Sequence, residues 1–165
     1  MRGTENMKKM IICSGVPGAG KSTACEQFAI EYGKDAIVCP DTIREMCGAI
    51  IYDNDGNPVG ISQDVNTVVF NIFYKIVEAR MVNGATIVCD GTFVNGRTLT
   101  RLHELADQYG YEVELHRFPC DIETLKERNR HRGYKNVPDF VIEGMYKRFN
   151  AYAPEDWYKL VVHNQ

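Results

Sequence analysis

Short apolar runs alternate along the chain with longer segments of helical periodicity. Continuously apolar runs predict strands buried on both faces at residues 8–14, 36–39, 85–89 and 159–162. Residues 111–118 alternate apolar and polar positions and predict a strand nearer a sheet edge. Helical periodicity predicts helices at residues 21–32, 63–83, 96–109, 122–132 and 138–151. Strands that alternate with helices indicate βαβ units, so the predicted fold class is α/β with a parallel sheet flanked by helices.

The length of 165 residues suits one domain. We therefore expect a single domain over residues 1–165, with residues 1–7 flexible. Residues 1–12 lack the apolar segment of a secretion signal, and no later stretch is apolar enough to cross a membrane. A cytoplasmic protein with no membrane partner is expected. Six cysteines are scattered without the spacing of a metal site, which favours reduced and mostly buried thiols over disulfides.

The charge is slightly acidic overall but unevenly distributed. The chain has 19 basic and 22 acidic residues and a net charge of -3, which argues against a uniformly basic protein that coats nucleic acid. Residues 126–135 nevertheless contain five basic residues and one acidic residue, which leaves 14 basic and 21 acidic residues elsewhere. This local concentration favours contact with a few phosphates rather than binding along a nucleic-acid backbone.

The strongest motif is Gly15-Val-Pro-Gly-Ala-Gly-Lys21-Ser22, which matches the phosphate-binding loop. It follows a buried strand and opens a helix, the arrangement in which backbone N–H groups converge on a phosphate. In this motif Lys21 contacts the β- and γ-phosphates, and the Ser22 hydroxyl contacts Mg²⁺. A glycine-rich turn without a ligand is the alternative. The predicted nucleotide-binding residues of the loop are Gly15, Pro17, Gly18, Ala19, Gly20, Lys21, Ser22 and Thr23.

A second candidate pair, Asp41 and Arg44, follows the second predicted strand. Ligands of open α/β sheets bind at the carboxyl ends of strands, so Asp41 is expected near the phosphate loop. A carboxylate that accepts a hydroxyl proton and a guanidinium that holds an anion suit a phosphoryl-acceptor site. The alternative is that Asp41 only caps a short helix.

A third candidate is Asp90, which ends an apolar strand in the form of a Walker B element that organises Mg²⁺. A plain strand-ending turn is one alternative. A phosphatase motif is another, but it needs an aspartate at position 88, where the residue is Val88. Thr92 follows closely, and Arg97 near the next helix start either reaches the same cleft or faces solvent. We predict acceptor contacts from Asp41, Arg44, Thr92 and Arg97.

The basic run at residues 126–135 is the fourth candidate. Arg128 and Arg132 are four residues apart and are expected on one helix face, whereas Arg130 points away from it. Two such arginines can hold a polyphosphate and neutralise charge during phosphoryl transfer. A solvated helix surface is the alternative. The position of this run after a phosphate loop favours a kinase lid.

These four elements, in this order, resemble the 5′-hydroxyl kinase domain of phage-type polynucleotide kinases. The resemblance covers about residues 8–149 and includes the run Glu127-Arg-Asn-Arg-His-Arg-Gly-Tyr-Lys-Asn-Val-Pro138 followed by Met145-Tyr-Lys147. It implies a P-loop kinase fold with a helical lid. It also implies that Asp41 is the general base on a nucleic-acid 5′-hydroxyl and that Arg44 grips the adjoining 3′ phosphate. Because the phosphatase domain that often follows this kinase is not in the sequence, no 3′-end processing is expected.

We therefore predict ATP- and Mg²⁺-dependent phosphoryl transfer to a hydroxyl, with the 5′-hydroxyl end of DNA or RNA as acceptor and partner. Asp41, Lys21, Arg128 and Arg132 are the predicted catalytic residues, and the two arginines also contact ATP. Ser22, with Asp90 or Asp41 through waters, is predicted to hold Mg²⁺. The alternatives are a kinase of hydroxymethylated pyrimidines in phage DNA, a small-metabolite or nucleoside kinase, and a noncatalytic nucleotide-dependent switch. If the protein is phage-encoded, its compartment is the infected host cytosol.

The remaining features are interpreted structurally. His103, His116 and His163 are expected in no common site, and Tyr152, Trp157 and Tyr158 are expected to pack near the C-terminal end. Residues 52–58 contain two strong turn dipeptides and predict a surface hairpin or flap. The apolar positions of the long helix predicted at residues 63–83 are expected in the core; they are Val65, Val68, Val69, Ile72, Phe73 and Ile76.

Overall fold

A computed structural model describes residues 8–164, so the prediction for residues 1–7 lies outside the described chain. The strands are β1 (Lys9–Ser14), β2 (Ile37–Val38), β3 (Ile50–Tyr52), β4 (Pro58–Ile61), β5 (Ile87–Gly91), β6 (Glu112–Arg117) and β7 (Lys159–Val162). The helices are α1 (Lys21–Tyr32), α2 (Pro40–Met46), α3 (Asn66–Val82), α4 (Gly96–Tyr109), α5 (Ile122–Arg130) and α6 (Asp139–Asn150). Short 3₁₀ turns lie at Lys34–Ala36 and Gly133–Lys135.

Five strands form a sheet in the order β2-β5-β1-β6-β7. Every neighbouring pair is parallel, which confirms the predicted α/β class. The strand predicted nearer an edge, β6, is next to the edge strand β7. The carboxyl ends of β1, β2 and β5 therefore meet at one edge of the sheet, where ligands of such folds bind.

Helices cover both faces of this sheet. Successive β1 residues point to opposite sides, so that Met10 and Ile12 join one core cluster while Ile11 and Cys13 join the other. Helices α3 and α4 pack in the first cluster, and α1, α5 and α6 pack in the second. The predicted aromatic packing near the C-terminal end is confirmed, since Tyr158 is buried in the first cluster and Tyr152 and Trp157 pack against it.

The segment at residues 52–58 is the turn of an antiparallel hairpin between β3 and β4, as predicted. The Asp53 carboxylate accepts hydrogen bonds from the backbone N–H groups of Asp55 and Asn57, at 2.9 and 2.8 Å. This is the local side-chain to backbone bonding that favours Asp in turns. The hairpin lies outside the main sheet.

The prediction for the apolar face of α3 is wrong at three positions. Val69 and Phe73 are fully buried, together with Val77 and Met81 one and two turns further on. Val68, Ile72 and Ile76 are instead 54%, 36% and 37% exposed. The helix is apolar on more than one side, and periodicity alone does not tell which stripe the sheet covers. The stripe spaced by four residues from Val69 is the one that packs.

All six cysteines are free thiols. Cys13, Cys25 and Cys89 are buried, as expected of small apolar residues, whereas Cys47 is exposed. Within residues 8–164, no helix is both long enough and apolar enough to cross a bilayer.

The two stripes of α3 predict losses of stability of different size. Phe73→Ala removes a fully buried ring and should lower the free energy of unfolding by about 3–5 kcal/mol. Ile72→Ala, one residue away on the same helix, should cost about 1 kcal/mol or less because Ile72 is partly exposed already. Chemical denaturation of both variants tests this, and equal losses would contradict the assignment of the packed stripe.

Candidate active site

The phosphate loop joins β1 directly to α1, as predicted. Gly18 and Gly20 have φ values of 91° and 90°, which only glycine adopts without strain. Helix α1 begins after Gly20 with no side-chain cap and no acidic residue in its first turn. Its first N–H groups and the positive end of its dipole therefore remain suited to an anion.

The loop is also packed closely against its surroundings. A side chain at Gly15 would place a Cβ 3.1 Å from the Cβ of Phe118, and one at Gly18 would lie 3.2 Å from the Cβ of Arg128. Lys21 Nζ donates to the carbonyl oxygen of Gly15 at 2.7 Å. The glycines therefore allow both the loop conformation and the approach of α5.

Asp90 lies beside the phosphate loop because of the strand register. In the parallel pairing of β1 with β5, Cys13 is opposite Asp90 and Ser14 is opposite Gly91. The Ser14 hydroxyl donates to the carbonyl oxygen of Thr92 at 2.9 Å, which ties the two strand ends together. The predicted Walker B aspartate is thus at the expected place.

Lys21 and Asp90 perturb each other electrostatically. Burial raises the pKa of the Asp90 carboxyl, while the charge of Lys21 and a hydrogen bond from Cys25 counteract this rise. Burial lowers the pKa of Lys21, and Asp90 opposes that shift while Arg132 adds to it. The site therefore holds two ionisable groups whose charged forms depend on each other and on any anion that binds.

Asp41 stands in the first turn of α2, which begins at Pro40 with Cys39 at the N-cap position. The alternative that Asp41 caps this helix is therefore wrong. Its carboxylate accepts a hydrogen bond from Arg44 Nη1 at 2.7 Å, and its side chain is 50% exposed. Arg44 is buried and also donates to Asn66 Oδ1, so α3 orients the predicted pair.

The basic run forms the segment from α5 to α6, but not on one helix face as predicted. Helix α5 ends at Arg130, so Arg132 lies beyond the helix, in a turn. The backbone N–H of Arg132 donates to the carbonyl oxygen of Asn129 at 3.1 Å. Arg128 Nη1 donates to the carbonyl oxygen of Gly18 at 2.9 Å. Arg130 points away as predicted and pairs with Glu127 and Asp139. We name residues 122–150 the lid segment.

Two contacts join the lid segment to α2. Lys135 Nζ lies 2.6 Å from Glu45 Oε1, and the Tyr134 hydroxyl donates to the same oxygen at 3.3 Å. The Lys135 hydrogen bond holds the pKa of Glu45 below its ordinary value, although burial opposes this. These contacts place Arg132 next to the helix that carries Asp41.

Two cavities meet at these residues. The first, of about 1330 Å³, runs along the phosphate loop and α1 and is named the donor cavity. The second, of about 860 Å³, lies between α2, α3, α4 and the lid segment and is named the acceptor cavity. The residues that line both are Pro17, Asp41, Asp90, Gly91, Thr92, Arg132 and Lys135. The two cavities therefore share a wall that carries charged groups of both signs.

The predicted residues divide between the cavities as follows. The donor cavity is lined by Pro17, Gly18, Gly20, Lys21, Ser22, Thr23, Arg128 and Arg132. Gly15 and Ala19 are not among its lining residues, and Ala19 is fully buried beneath the loop. The predicted acceptor residues Asp41, Arg44, Thr92 and Arg97 all line the acceptor cavity.

Sequence reasoning missed most of the acceptor cavity. Phe70 and Tyr74 of α3 line it with Phe93, whose ring lies 5.8 Å from that of Phe73. Phe93 has a φ of 41°, an unusual backbone conformation for a bulky residue and one that clusters at functional sites. The missed polar lining residues include Gln63, Asn66, Asn71, Asn95 and Arg148. No local sequence pattern marked the aromatic residues.

The histidine prediction is wrong for His116 and His163, whereas His103 lines neither cavity. His116 Nδ1 and His163 Nε2 are 2.8 Å apart, and both residues line the donor cavity. The two positions are 47 residues apart in the chain, and only the pairing of β6 with β7 brings them together.

Residues 10–152 match the AAA domain family (AAA_33). The chain belongs to this family. The match covers the phosphate loop, the Asp41 and Arg44 pair, Asp90 and the lid segment, and so includes every predicted site residue.

Solved structures show the fold of this AAA domain. A chain of the Pnkp1/Rnl/Hen1 RNA repair complex has a TM-score of 0.71 and 22% identity, over 91% of this chain and 46% of that chain. Chaetomium thermophilum Kti12 in complex with ADP-AlF3 has a TM-score of 0.65 and 15% identity, over 93% and 88% of the two chains. A gluconokinase from Sinorhizobium meliloti 1021 has a TM-score of 0.57 and 18% identity, over 96% and 85%. The AAA domain thus has a P-loop kinase fold, with a loop suited to nucleotide phosphates.

The lid segment depends on Asn129, which is 2% exposed. Its Nδ2 donates to the carbonyl oxygen of Val137 at 2.7 Å, and its Oδ1 accepts from the Val137 N–H at 3.1 Å. Asn129→Asp should lower the free energy of unfolding by about 2 kcal/mol or more, because the donor is lost and a charge is buried. Asn54→Asp on the exposed hairpin turn is the matched control and should change it by less than about 0.5 kcal/mol. Thermal denaturation that finds the two equal would contradict the role of Asn129.

Proposed function

We propose that this AAA domain is an ATP- and Mg²⁺-dependent kinase that phosphorylates the 5′-hydroxyl end of DNA or RNA. The observation that carries the proposal is the position of Asp41 on the wall shared by the donor and acceptor cavities. A group on that wall can contact an acceptor hydroxyl while the γ-phosphate of a nucleotide lies on the phosphate loop. Phosphoryl transfer needs this juxtaposition of two substrates above all else.

Each of the site residues then has a separate role in the proposed reaction. Asp41 takes the proton of the acceptor hydroxyl as that oxygen bonds to the γ-phosphorus. The bond from this phosphorus to the β,γ-bridging oxygen breaks, and ADP leaves with the bonding electrons. Lys21, Arg128 and Arg132 line the donor cavity and stabilise the negative charge of the transferring group. Arg44 holds Asp41 in place through the hydrogen bond at 2.7 Å.

Side-chain oxygen atoms of the donor cavity fit Mg²⁺. The Ser22 hydroxyl and the carboxylates of Asp41 and Asp90 all line the donor cavity, and Mg²⁺ prefers such hard oxygen ligands. Within residues 8–164 no cluster of three or more His, Cys, Asp and Glu side chains is arranged to hold a metal ion. This pattern suits a cation held by nucleotide phosphates, Ser22 and water-mediated carboxylates. When bound, Mg²⁺ neutralises phosphate charge.

The lining of the acceptor cavity favours a nucleic-acid end over a small neutral acceptor. It contains five basic side chains, contributed by Arg44, Arg97, Arg132, Lys135 and Arg148, against two carboxylates. Arginines suit phosphate oxygens, and the rings of Phe70 and Tyr74 offer a surface on which a base can stack. The similarity of the fold to a chain of an RNA repair complex supports the same class of acceptor. The similarity to a gluconokinase makes a sugar the first competing acceptor.

The role of Asp41 is tested by Asp41→Asn. This variant should lose at least about 100-fold in kcat, because it cannot take the hydroxyl proton. Its Kd for ATP should stay within about threefold, since the phosphate loop is unchanged. Asp64→Asn is the control, because Asp64 is exposed and lines neither cavity. Near-normal turnover by the Asp41 variant would remove Asp41 from its role.

The acceptor class is tested by offering labelled ATP and Mg²⁺ with several acceptors in parallel. The set contains 5′-hydroxyl DNA and RNA oligonucleotides, DNA with internal hydroxymethyluracil, free nucleosides and gluconate. We expect label at the 5′ end of an oligonucleotide. Arg44→Gln should lower kcat/KM for the acceptor by about tenfold or more, because a phosphate contact and the hydrogen bond that holds Asp41 are both lost. Label on gluconate or free nucleosides alone would refute the polynucleotide proposal. Label on internal bases alone would identify a kinase of modified DNA, and no transfer would favour a noncatalytic switch.

A further inference from the structure

The donor cavity extends beyond the phosphates to a chain of three polar side chains. Glu114 Oε2 lies 2.9 Å from His116 Nε2, and His116 Nδ1 lies 2.8 Å from His163 Nε2. Both histidines line the cavity, together with Gln27 of α1 and Asn164. This end lies along α1 beyond the phosphate loop, on the side away from the shared wall.

Aromatic packing fixes the position of both histidine rings. The His163 ring stacks on Phe118 with 4.2 Å between ring centroids and 5° between ring planes. The Phe28 ring meets His116 edge to face at 5.3 Å and 86°. Phe118 is buried and covers one face of His163, so the ring is held flat at the cavity wall rather than free to rotate.

The hydrogen bonds that join Glu114, His116 and His163 determine which nitrogen of each histidine ring carries a proton. Hydrogen bonds from His116 and Lys9 outweigh the effect of burial and hold the pKa of Glu114 below its ordinary value, so the carboxylate accepts from His116 Nε2–H. With its Nε2–H directed to Glu114, an uncharged His116 ring presents Nδ1 as the acceptor for His163 Nε2–H. Burial and the neighbouring His116 lower the pKa of His163, which favours its neutral ring. His163 therefore carries its second nitrogen, Nδ1, as an acceptor.

We propose that Glu114, His116 and His163 form the nucleobase site of the donor nucleotide, in which His163 Nδ1 accepts a hydrogen bond from the exocyclic amino group of adenine. This inference rests on the proposed function only in taking a nucleoside triphosphate as the donor. An acceptor at this position pairs with the 6-amino group of adenine and not with a 6-carbonyl oxygen, which has no proton to donate. Glu114 and His116 are positioning residues, because they fix the tautomer of the ring that contacts the base.

Two nucleotides test the contact directly. ITP differs from ATP at the purine ring, where the 6-amino group is replaced by a carbonyl oxygen. Calorimetric titration without acceptor should show that the wild-type protein binds ATP about tenfold more tightly than ITP. His163→Phe retains a ring that stacks on Phe118 but has no acceptor, so its Kd for ATP should rise to that for ITP.

The control is His103→Phe. His103 also stacks on an aromatic ring, that of Trp157 at 4.3 Å and 8°, but it lines neither cavity, so the preference for ATP should be unchanged. If His163→Phe does not fold, His163→Gln is the second variant for the same titration. Because the glutamine amide both accepts and donates hydrogen bonds, this variant should bring the Kd values for ATP and ITP together. A preference for ATP that survives both substitutions at position 163 would overturn the inference, as would equal binding by the wild type. Because binding is measured without acceptor, this result is separate from failure of the acceptor assay.

Discussion

The site depends on the parallel pairing of β1 with β5. This pairing sets Cys13 opposite Asp90 and Ser14 opposite Gly91, so the phosphate loop and the Asp90 turn leave the sheet side by side. The Ser14 hydroxyl holds the Asp90 turn in place by donating a hydrogen bond to the carbonyl oxygen of Thr92 at 2.9 Å. A slip of one residue would move Asp90 to the other face of the sheet, away from Lys21. The shared wall between donor and acceptor cavities exists because this register holds.

Lys21, which lines the donor cavity, and Asp90, on the shared wall, stabilise each other's charged forms. Burial lowers the pKa of Lys21 and raises that of Asp90, so each group in isolation would tend towards its neutral form. A polyphosphate beside Lys21 adds negative charge and favours the ammonium, and a cation beside Asp90 favours the carboxylate. Under the proposed function, nucleotide and Mg²⁺ would each favour the charged form that burial disfavours.

Local sequence was sufficient to predict the parts of the site that are continuous in the chain. The phosphate loop, Asp90 at its strand end and the bounds of α1 and α4 all follow from short patterns of residue type. Long-range register was not predictable in this way. His163 meets His116 only because β6 pairs with β7 so that His116 is opposite Val161, two residues before His163. The buried stripe of α3 likewise depends on which side the sheet covers. Because the helix is apolar on more than one side, its local sequence does not show which stripe is buried.

The lid segment shows that the distribution of charge along the sequence does not give its distribution in the folded structure. Its basic run seemed to concentrate positive charge for phosphates, but Lys126 pairs with Glu143, Arg130 with Glu127 and Asp139, and Lys135 with Glu45. Those pairs fix the geometry of the segment and neutralise most of its charge, while Arg128 and Arg132 line the donor cavity. Further arginines in the lining of the acceptor cavity come from outside the basic run, with Arg44 on α2, paired with Asp41, Arg97 on α4 and Arg148 on α6. An acidic chain can therefore offer a basic cavity lining, because helices distant in the sequence each contribute an arginine to it.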